Sequence, residues 1–506
     1  MTCLRSFSGI LMVCLLSSSN LVLSQSDQAE LSDHVLEAIG DLRSFVAIPN
    51  FGLHHASIQK NIDWLREQLV QRGFDCHQLE TTSNPLLFAE RIFTSDLPTI
   101  LFYMHLDGQA IDPSKWNQSD PYQAVLKKQD TLGNWITISW QELNEQIDPD
   151  WRIFGRSTAD DKAPIIAFLQ AIDWINDSEK AITCNIKMII DAEEELGSQG
   201  LPGAVAAYGE LLAADALVIN DGPVHLSGQP TLTFGCRGIM TLNLTIYGPA
   251  SPQHSGHYGN YAPNPVFRMA HLLASMKDQK GRVLIDGYYD GVFLSAETRQ
   301  ILGAVPDDED AIKHLLQIAH PDQVGSNYQE SLQYPSLNVR GTASGWVGAQ
   351  ARTIVPDYAT VAMDIRLVPE SDPDRLYALI REHTESQGYL IVDHEPTPAE
   401  RRSYPKIAFI RKERSTLPFR TDMSSPVGTW LERALTKEFE QNPIKIRIMG
   451  GTVPISSFIR AMDIPAVILP MVNADNNQHS PNENMRIGHL ANAIRTFQAV
   501  LTTPMD

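Results

Sequence analysis

Cysteine is scarce in this chain: there are five in 506 residues, and only Cys76, Cys184 and Cys236 lie beyond the first two dozen positions. Three widely spaced thiols imply neither a disulfide framework nor a cysteine zinc site. Positive charge is also in deficit, with 40 Lys and Arg against 60 Asp and Glu for a net charge of −20. Such a chain repels a phosphate backbone, so nucleic acid is not an expected partner. Long apolar runs are missing too. The run at residues 10–16 falls well short of the roughly 20 residues a spanning helix needs, and Ser17-Ser18-Ser19-Asn20 closes it. With Arg5 before it and small Ser24 after it, residues 1–24 read as a secretory signal peptide. The expectation is an exported protein, periplasmic or extracellular, with no integral membrane segment once the leader is removed. The residues before Cys14, Leu11-Met12-Val13, lack the small side chains of a lipoprotein site, and the sequons at Asn117, Asn176 and Asn243 matter only in a eukaryotic secretory pathway.

With 43% hydrophobic and 20% charged residues, the chain is too apolar for disorder and too long for one core, so two or more domains are expected. Strand-like runs at 99–104, 182–190, 216–219 and 464–469 alternate with helical periods at 162–175, 201–213 and 484–502. This is the α/β pattern of helices crossing over a mainly parallel sheet, and it puts helices on both faces. Between 236 and 395 the pattern changes to strand (240–247), helix (263–276), strand (358–367) and helix (372–387). That stretch reads as a smaller α+β domain, a lid or dimerisation module, inserted into a first domain made of residues 25–235 and 396–506.

The chemically suggestive residues follow strand ends, where open α/β sheets place their sites. His105-Leu106-Asp107 closes the first strand; residues two apart face the same way, so Asp107 can fix the tautomer of His105. By itself such a pair is as well read as a hydrogen bond at a strand end. Gly155-Arg156-Ser157-Thr158-Ala159-Asp160-Asp161-Lys162 is a turn entering a helix. Its carboxylates can serve as caps, or one can bridge two cations while Lys162 orients its neighbour. Asp191-Ala192-Glu193-Glu194-Glu195-Leu196-Gly197-Ser198 follows a buried-type strand rather than a solvated helix face. Adjacent Glu194 and Glu195 can divide the work of general base and ligand. Asn220-Asp221-Gly222 and Gln478-His479-Ser480-Pro481-Asn482-Glu483 complete the set, each unremarkable singly.

In order and context these five segments resemble the HxD, GxxxxDDK, EExGS, (S/N)D and HSxxE motifs of the M20 family of metallopeptidases, over nearly the whole chain past the leader. The resemblance implies a zinc-peptidase-like catalytic domain interrupted by the lid. It implies two divalent metal ions per chain, zinc first with Mn²⁺ or Co²⁺ also suited to His and carboxylate ligands. His105 and Asp221 would hold one ion, Glu195 and His479 the other, with Asp160 bridging both. Asp107 would orient His105, and Glu194 would be the general base for a water between the metals. Gln253-His254-Ser255-Gly256-His257-Tyr258-Gly259 resembles the lid histidine motif of the carnosinase-like dipeptidase branch, which implies that His254 stabilises the oxyanion across a homodimer formed through residues 236–395. Arg352-Thr353-Ile354-Val355-Pro356, Asp364-Ile365-Arg366-Leu367-Val368-Pro369 and Gly450-Gly451-Thr452-Val453-Pro454 resemble that branch's substrate segments, with Thr353, Arg366 and Thr452 as contacts. Without the resemblance, His254 is an ordinary surface histidine and Arg366 an ordinary strand arginine.

In the family resembled, Asp rather than Glu at position 221 accompanies dipeptidases and aminopeptidases, which implies dipeptides or short peptides, and Arg366 implies that they carry a free C-terminal carboxylate. The rival readings are an N-acyl amino acid deacylase or a carboxypeptidase on the same fold, and a non-catalytic binding protein. Departures from the family pattern fall at Ser157, Ala163, Glu193 and the long, tryptophan-rich segment 108–152.

Overall fold

The computed structural model describes residues 25–453 and 455–505. The expected leader lies outside the described residues, and none of the described helices is long and apolar enough to cross a membrane.

The central sheet has eight strands, numbered in chain order as β1 (Asp75–Leu79), β2 (Leu86–Arg91), β3 (Thr99–His105), β4 (Asn185–Asp191), β5 (Ala216–Ile219), β6 (Thr231–Thr233), β7 (Ile444–Ile446) and β8 (Ala466–Ile468). Their order across the sheet is β1-β2-β4-β3-β5-β8-β6-β7. The middle strands β4, β3, β5 and β8 run parallel, whereas β1 and β2 pair antiparallel and β2 joins β4 antiparallel. The sheet is therefore mixed, with its parallel part where the site sits. Both faces are covered, which is why the middle strands read as continuous apolar runs. Ile100, Phe102 and Met104 join a core with the helices Gln25–Val46, Lys162–Asp177 and Ile487–Thr502. Leu101 and Tyr103, of opposite parity, join another with Leu201–Leu212 and Ser456–Met462.

The inserted unit is a five-stranded sheet in which Tyr358–Leu367 and Ile407–Thr416 flank Gly238–Tyr247, with Asn338–Ala343 and Leu390–Val392 at the edges. Met240, Leu242, Leu244 and Ile246 face the helices Pro265–Met276 and Pro373–Ser386 in a core of their own. The expected close of this unit at residue 395 is too early. Ile407–Thr416 pairs along Gly238–Tyr247 from Ala408 to Thr416, so the lid sheet runs on to residue 416. Chain passes between the two domains at Gly235–Cys236 and Phe419–Arg420, which pair antiparallel.

The helix expected over 484–502 starts three residues late. Asn484–Arg486 is a strand that pairs with Arg152–Phe154, and the helix begins at Ile487. That strand belongs to a four-stranded sheet with Val125–Gln129 and Trp135–Thr137 from the long segment. The segment thus braces the loop carrying His479 and Glu483 from behind.

Candidate dinuclear metal centre

His105 is the last residue of β3, Asp191 the last of β4, and Asn220-Asp221 follow β5. Parallel register aligns His105 with Asp191, so these strand ends open on one edge. Asp160 and Asp161 lie at the start of the helix Lys162–Asp177. Two clusters of ligand-type atoms result, His105 with Asp161 and Asp221, and Asp160 with Glu195 and His479, the atoms of each within 4.8 Å of one another. Asp160 spans both. Its Oδ1 lies 3.0 Å from His105 Nε2 and its Oδ2 3.1 Å from His479 Nε2; Glu195 Oε2 is also 3.1 Å from His479 Nε2.

Asp107, wholly buried, faces His105 Nδ1 at 3.5 Å. Its two oxygens accept the backbone N–H of Glu194 at 3.0 Å and of Glu195 at 3.2 Å. One carboxylate thereby fixes the histidine and the glutamate pair together. Glu193, the extra acid, has no part in the cluster: it is buried and accepts the backbone N–H of Gly200 at the start of the helix Leu201–Leu212.

The expected orientation of Asp161 by Lys162 does not occur. Buried Lys162 donates to the carbonyls of Phe45 at 2.7 Å and Ile48 at 2.9 Å, because it starts a helix whose first turn packs on the N-terminal helix. Asp161 turns to the metal cluster instead, accepting the His105 backbone N–H at 3.2 Å. A second unforeseen part is Glu483. It is completely buried, pairs with Arg156 at 2.7 Å, and accepts the backbone N–H groups of Ser157, Ala159 and Asp160 at 2.9 to 3.0 Å. It holds the loop that presents Asp160. The four backbone and side-chain bonds need a carboxylate facing Gly155-Arg156, and only the final Glu of the HSxxE segment signalled it.

Burial, with the neighbouring carboxylates of Asp221, Glu195 and Asp160, pushes Glu194 well above the ordinary glutamate range against the opposing pull of His105. Burial and Asp160 raise Asp221 to about 6. For His105, burial disfavours the charged ring, but Asp107 and Asp160 outweigh it and hold the group well above the usual imidazole value. Asp160 and Glu195 push His479 up to about 10. Six carboxylates, Asp107, Asp160, Asp161, Glu194, Glu195 and Asp221, around two histidines make a site short of positive charge. Asp161 Oδ1 is buried without a hydrogen-bond partner, and Asp160 Oδ2 meets only the His479 ring, an arrangement that fits a pair of divalent cations.

The lid residues fall in two places. His254 and Thr353 meet on a short ribbon, where Gln253–His254 pairs with Ile354–Val355 and Ser255 N–H donates to the Thr353 carbonyl at 3.0 Å; both are exposed. Arg366 Nη1 donates to Thr452 Oγ1 at 2.7 Å, across the junction of lid and catalytic domain. Among the described residues, no hydrogen bond or ion pair joins these four to the metal cluster.

A mixed α/β sheet whose parallel strands end in two carboxylate and histidine clusters joined by one aspartate defines the class: a dinuclear metallohydrolase with an inserted lid. The family model for Peptidase family M20/M25/M40 matches residues 101–503, and the chain belongs to that family; it is an M20 metallopeptidase. The chain is similar to a Cys-Gly metallodipeptidase of Schizosaccharomyces pombe, 24% identical over 86% of each chain. It is also similar to a Beta-Ala-His dipeptidase of Mus musculus, 25% identical over 82% of this chain and 79% of that one. The structure of an M20 family metallo-carboxypeptidase from Sulfolobus solfataricus superimposes with a TM-score of 0.72 at 26% identity, covering 92% of this chain and 99% of that one.

Proposed function

We propose that this protein hydrolyses dipeptides or short peptides with a free C-terminal carboxylate, with zinc as the first choice of metal and Mn²⁺ or Co²⁺ as alternatives. The observation that carries the reading is Asp160, whose two oxygens face two different histidines. His105 and Asp221 would hold one cation and Glu195 and His479 the other, bridged by Asp160; Asp161 stands beside the first pair. When bound, two such cations acidify a coordinated water and polarise the scissile carbonyl. Glu194 would take a proton from the attacking water on its carboxylate as the oxygen adds to the carbonyl carbon, and would then deliver that proton to the leaving nitrogen as the C–N bond breaks. Asp107 keeps His105 and the Glu194-Glu195 backbone in register. Arg366, with Thr452, receives the substrate carboxylate, and Thr353 contacts the substrate from the lid.

His254 would stabilise the oxyanion from a second copy of the chain. It is exposed, its Nδ1 accepts the Gly256 N–H, and among the described residues no hydrogen bond joins it to its own chain's cluster. The lid edge strand Asn338–Ala343 is exposed along its whole length, with nearby Trp346 and Val347 also exposed. An open strand edge of this kind suits pairing with another chain. Export rests on the composition of the leader alone.

The deciding experiment measures metal content and turnover together on free dipeptides, N-acetyl amino acids and longer peptides. About two metals per chain with preference for dipeptides supports the reading; a preference for longer peptides would favour the carboxypeptidase alternative, and tight metal binding without turnover a binding protein. For the dimer, Glu194→Ala and His254→Ala are mixed under conditions of subunit exchange. Random pairing predicts roughly a quarter of wild-type activity if His254 crosses over, and no recovery if it serves its own chain.

A further inference from the structure

Arg366 has a neighbour that no motif announced. Arg237 stands immediately before the strand Gly238–Tyr247, two residues from Ile239, which pairs with Arg366 and shares its face of the lid sheet. Arg237 is only 7% exposed. Its backbone N–H is shared between the carbonyls of Met449 and Gly451 at 3.1 Å each, so it abuts the loop carrying Thr452. Its Nη2 donates to the Tyr334 carbonyl at 2.9 Å, while its Nε is buried without a partner. Among the described residues neither Arg237 nor Arg366 makes an ion pair. The nearest acid on that face, Asp364, is engaged by the Asn338 amide at 2.7 Å. Burial first, and then the charge of Arg366, hold Arg237 down to about 10, still cationic at neutral pH. Beside it lies a cavity of about 260 Å³ that Tyr334, Ser336 and the ion pair of Lys277 with Asp322 also line; Ser336 in turn holds the Arg366 backbone through its Oγ at 3.0 Å.

Two adjacent guanidinium groups without a counter-charge make an incomplete site, since buried charges are normally paired. One substrate carboxylate balances only one of them. We propose that Arg237 reads a second carboxylate, on the side chain of the C-terminal residue, and so makes dipeptides ending in glutamate or aspartate the favoured substrates. This rests on the reading above that Arg366 meets the C-terminal carboxylate.

The test compares the metal-loaded enzyme on Ala-Glu and on its neutral isostere Ala-Gln. The ratio of kcat/KM should favour Ala-Glu by about tenfold or more at low ionic strength, equivalent to about 1.4 kcal/mol, and should shrink as salt is added. Arg237→Gln should lower that ratio about tenfold, and Arg237→Lys should restore most of it. A wild-type ratio near one overturns the proposal without any variant. So does a soluble, folded Arg237→Gln enzyme that loses both substrates equally, which marks a structural arginine. If Arg237→Gln does not fold, competitive inhibition of the wild type by free glutamate against glutamine reads the same preference, and equal inhibition overturns it. Failure to cleave either dipeptide defeats the dipeptidase reading instead. The ratio is then taken on N-acetylglutamate against N-acetylglutamine, so that the two ideas fail separately.

Discussion

Asp107→Asn changes one atom of a wholly buried side chain and should damage the centre in two separable ways. The aspartate accepts two backbone N–H groups, one on each oxygen, from Glu194 and Glu195. Asparagine has a single acceptor oxygen, so its amide N–H must point at one of those donors. A buried donor left facing a donor costs about 1 to 3 kcal/mol, and the segment carrying both glutamates moves to relieve it. The second loss is at His105, whose Nδ1 sits 3.5 Å from the carboxylate. Removing the acidic partner of a metal-binding histidine lowers metal affinity about 10 to 100-fold, or about 1.4 to 2.8 kcal/mol. Thermal melting of metal-free protein reads the first effect, and competition for Zn²⁺ against a chromogenic chelator reads the second. If Asp107→Asn melts with the wild type and binds zinc within about threefold of it, Asp107 does not position the site and the reasoning fails.

Three further outcomes follow from the same geometry. Glu194→Ala should abolish turnover with the metals retained and Glu195→Ala should lose metal; elemental analysis showing the reverse would exchange the roles of the pair. Glu483→Gln breaks the buried pair with Arg156 and should destabilise the metal-free protein by about 3 to 5 kcal/mol, so a denaturation curve matching the wild type would refute its supporting role. Metal binding should release protons at neutral pH. In the metal-free protein the His479 ring keeps its proton up to about 10, whereas an unfolded chain loses it near 6.5. The stabilisation from that charged ring is therefore fully present below about 6.5, and it is lost as pH rises through about 10. Because a cation needs the neutral ring, affinity should climb with pH over this window; titration calorimetry in buffers of different ionisation enthalpy that finds no proton release would exclude it.

What was legible in the sequence was whatever local pattern encodes. Strand β3 and the helix Lys162–Asp177 lie within two residues of expectation because apolar periodicity is a property of contiguous residues. The Asp161 misreading shows the limit. Adjacency suggested an ion pair with Lys162, but the partners of Lys162 are carbonyls at 45 and 48, more than a hundred residues away. Glu483 meets Arg156 across 327 residues, and Arg237 meets the loop at 449–451 only through the fold. The lid boundary was missed because only the first half of Ile407–Thr416 is apolar and buried, with Ala408 and Ile410 in the lid core, while the second half faces solvent and carries charge, which hides the length of the strand.

The loop that presents His479 shows how such distant contacts become function. Asn477, His479 and Asn482 all adopt left-handed backbone, with φ of 59°, 59° and 63°. Asparagine tolerates this region, whereas histidine enters it less readily, so the turn stores strain at the candidate ligand His479. A polar network offsets that strain: the Asn476 side chain accepts from Gln478 N–H at 2.6 Å, and the Asn484 amide donates to the Asn476 and Asn482 carbonyls. Asn484 Oδ1 accepts in turn from Arg152 at 2.9 Å, which ties the loop to the sheet of the 108–152 segment. His479 is the most solvent-exposed member of its cluster, its side chain 54% exposed against 5% for Glu195 and 6% for Asp160. The long segment therefore does more than rim the pocket: it stiffens from behind the one candidate ligand that solvent would otherwise leave free to swing.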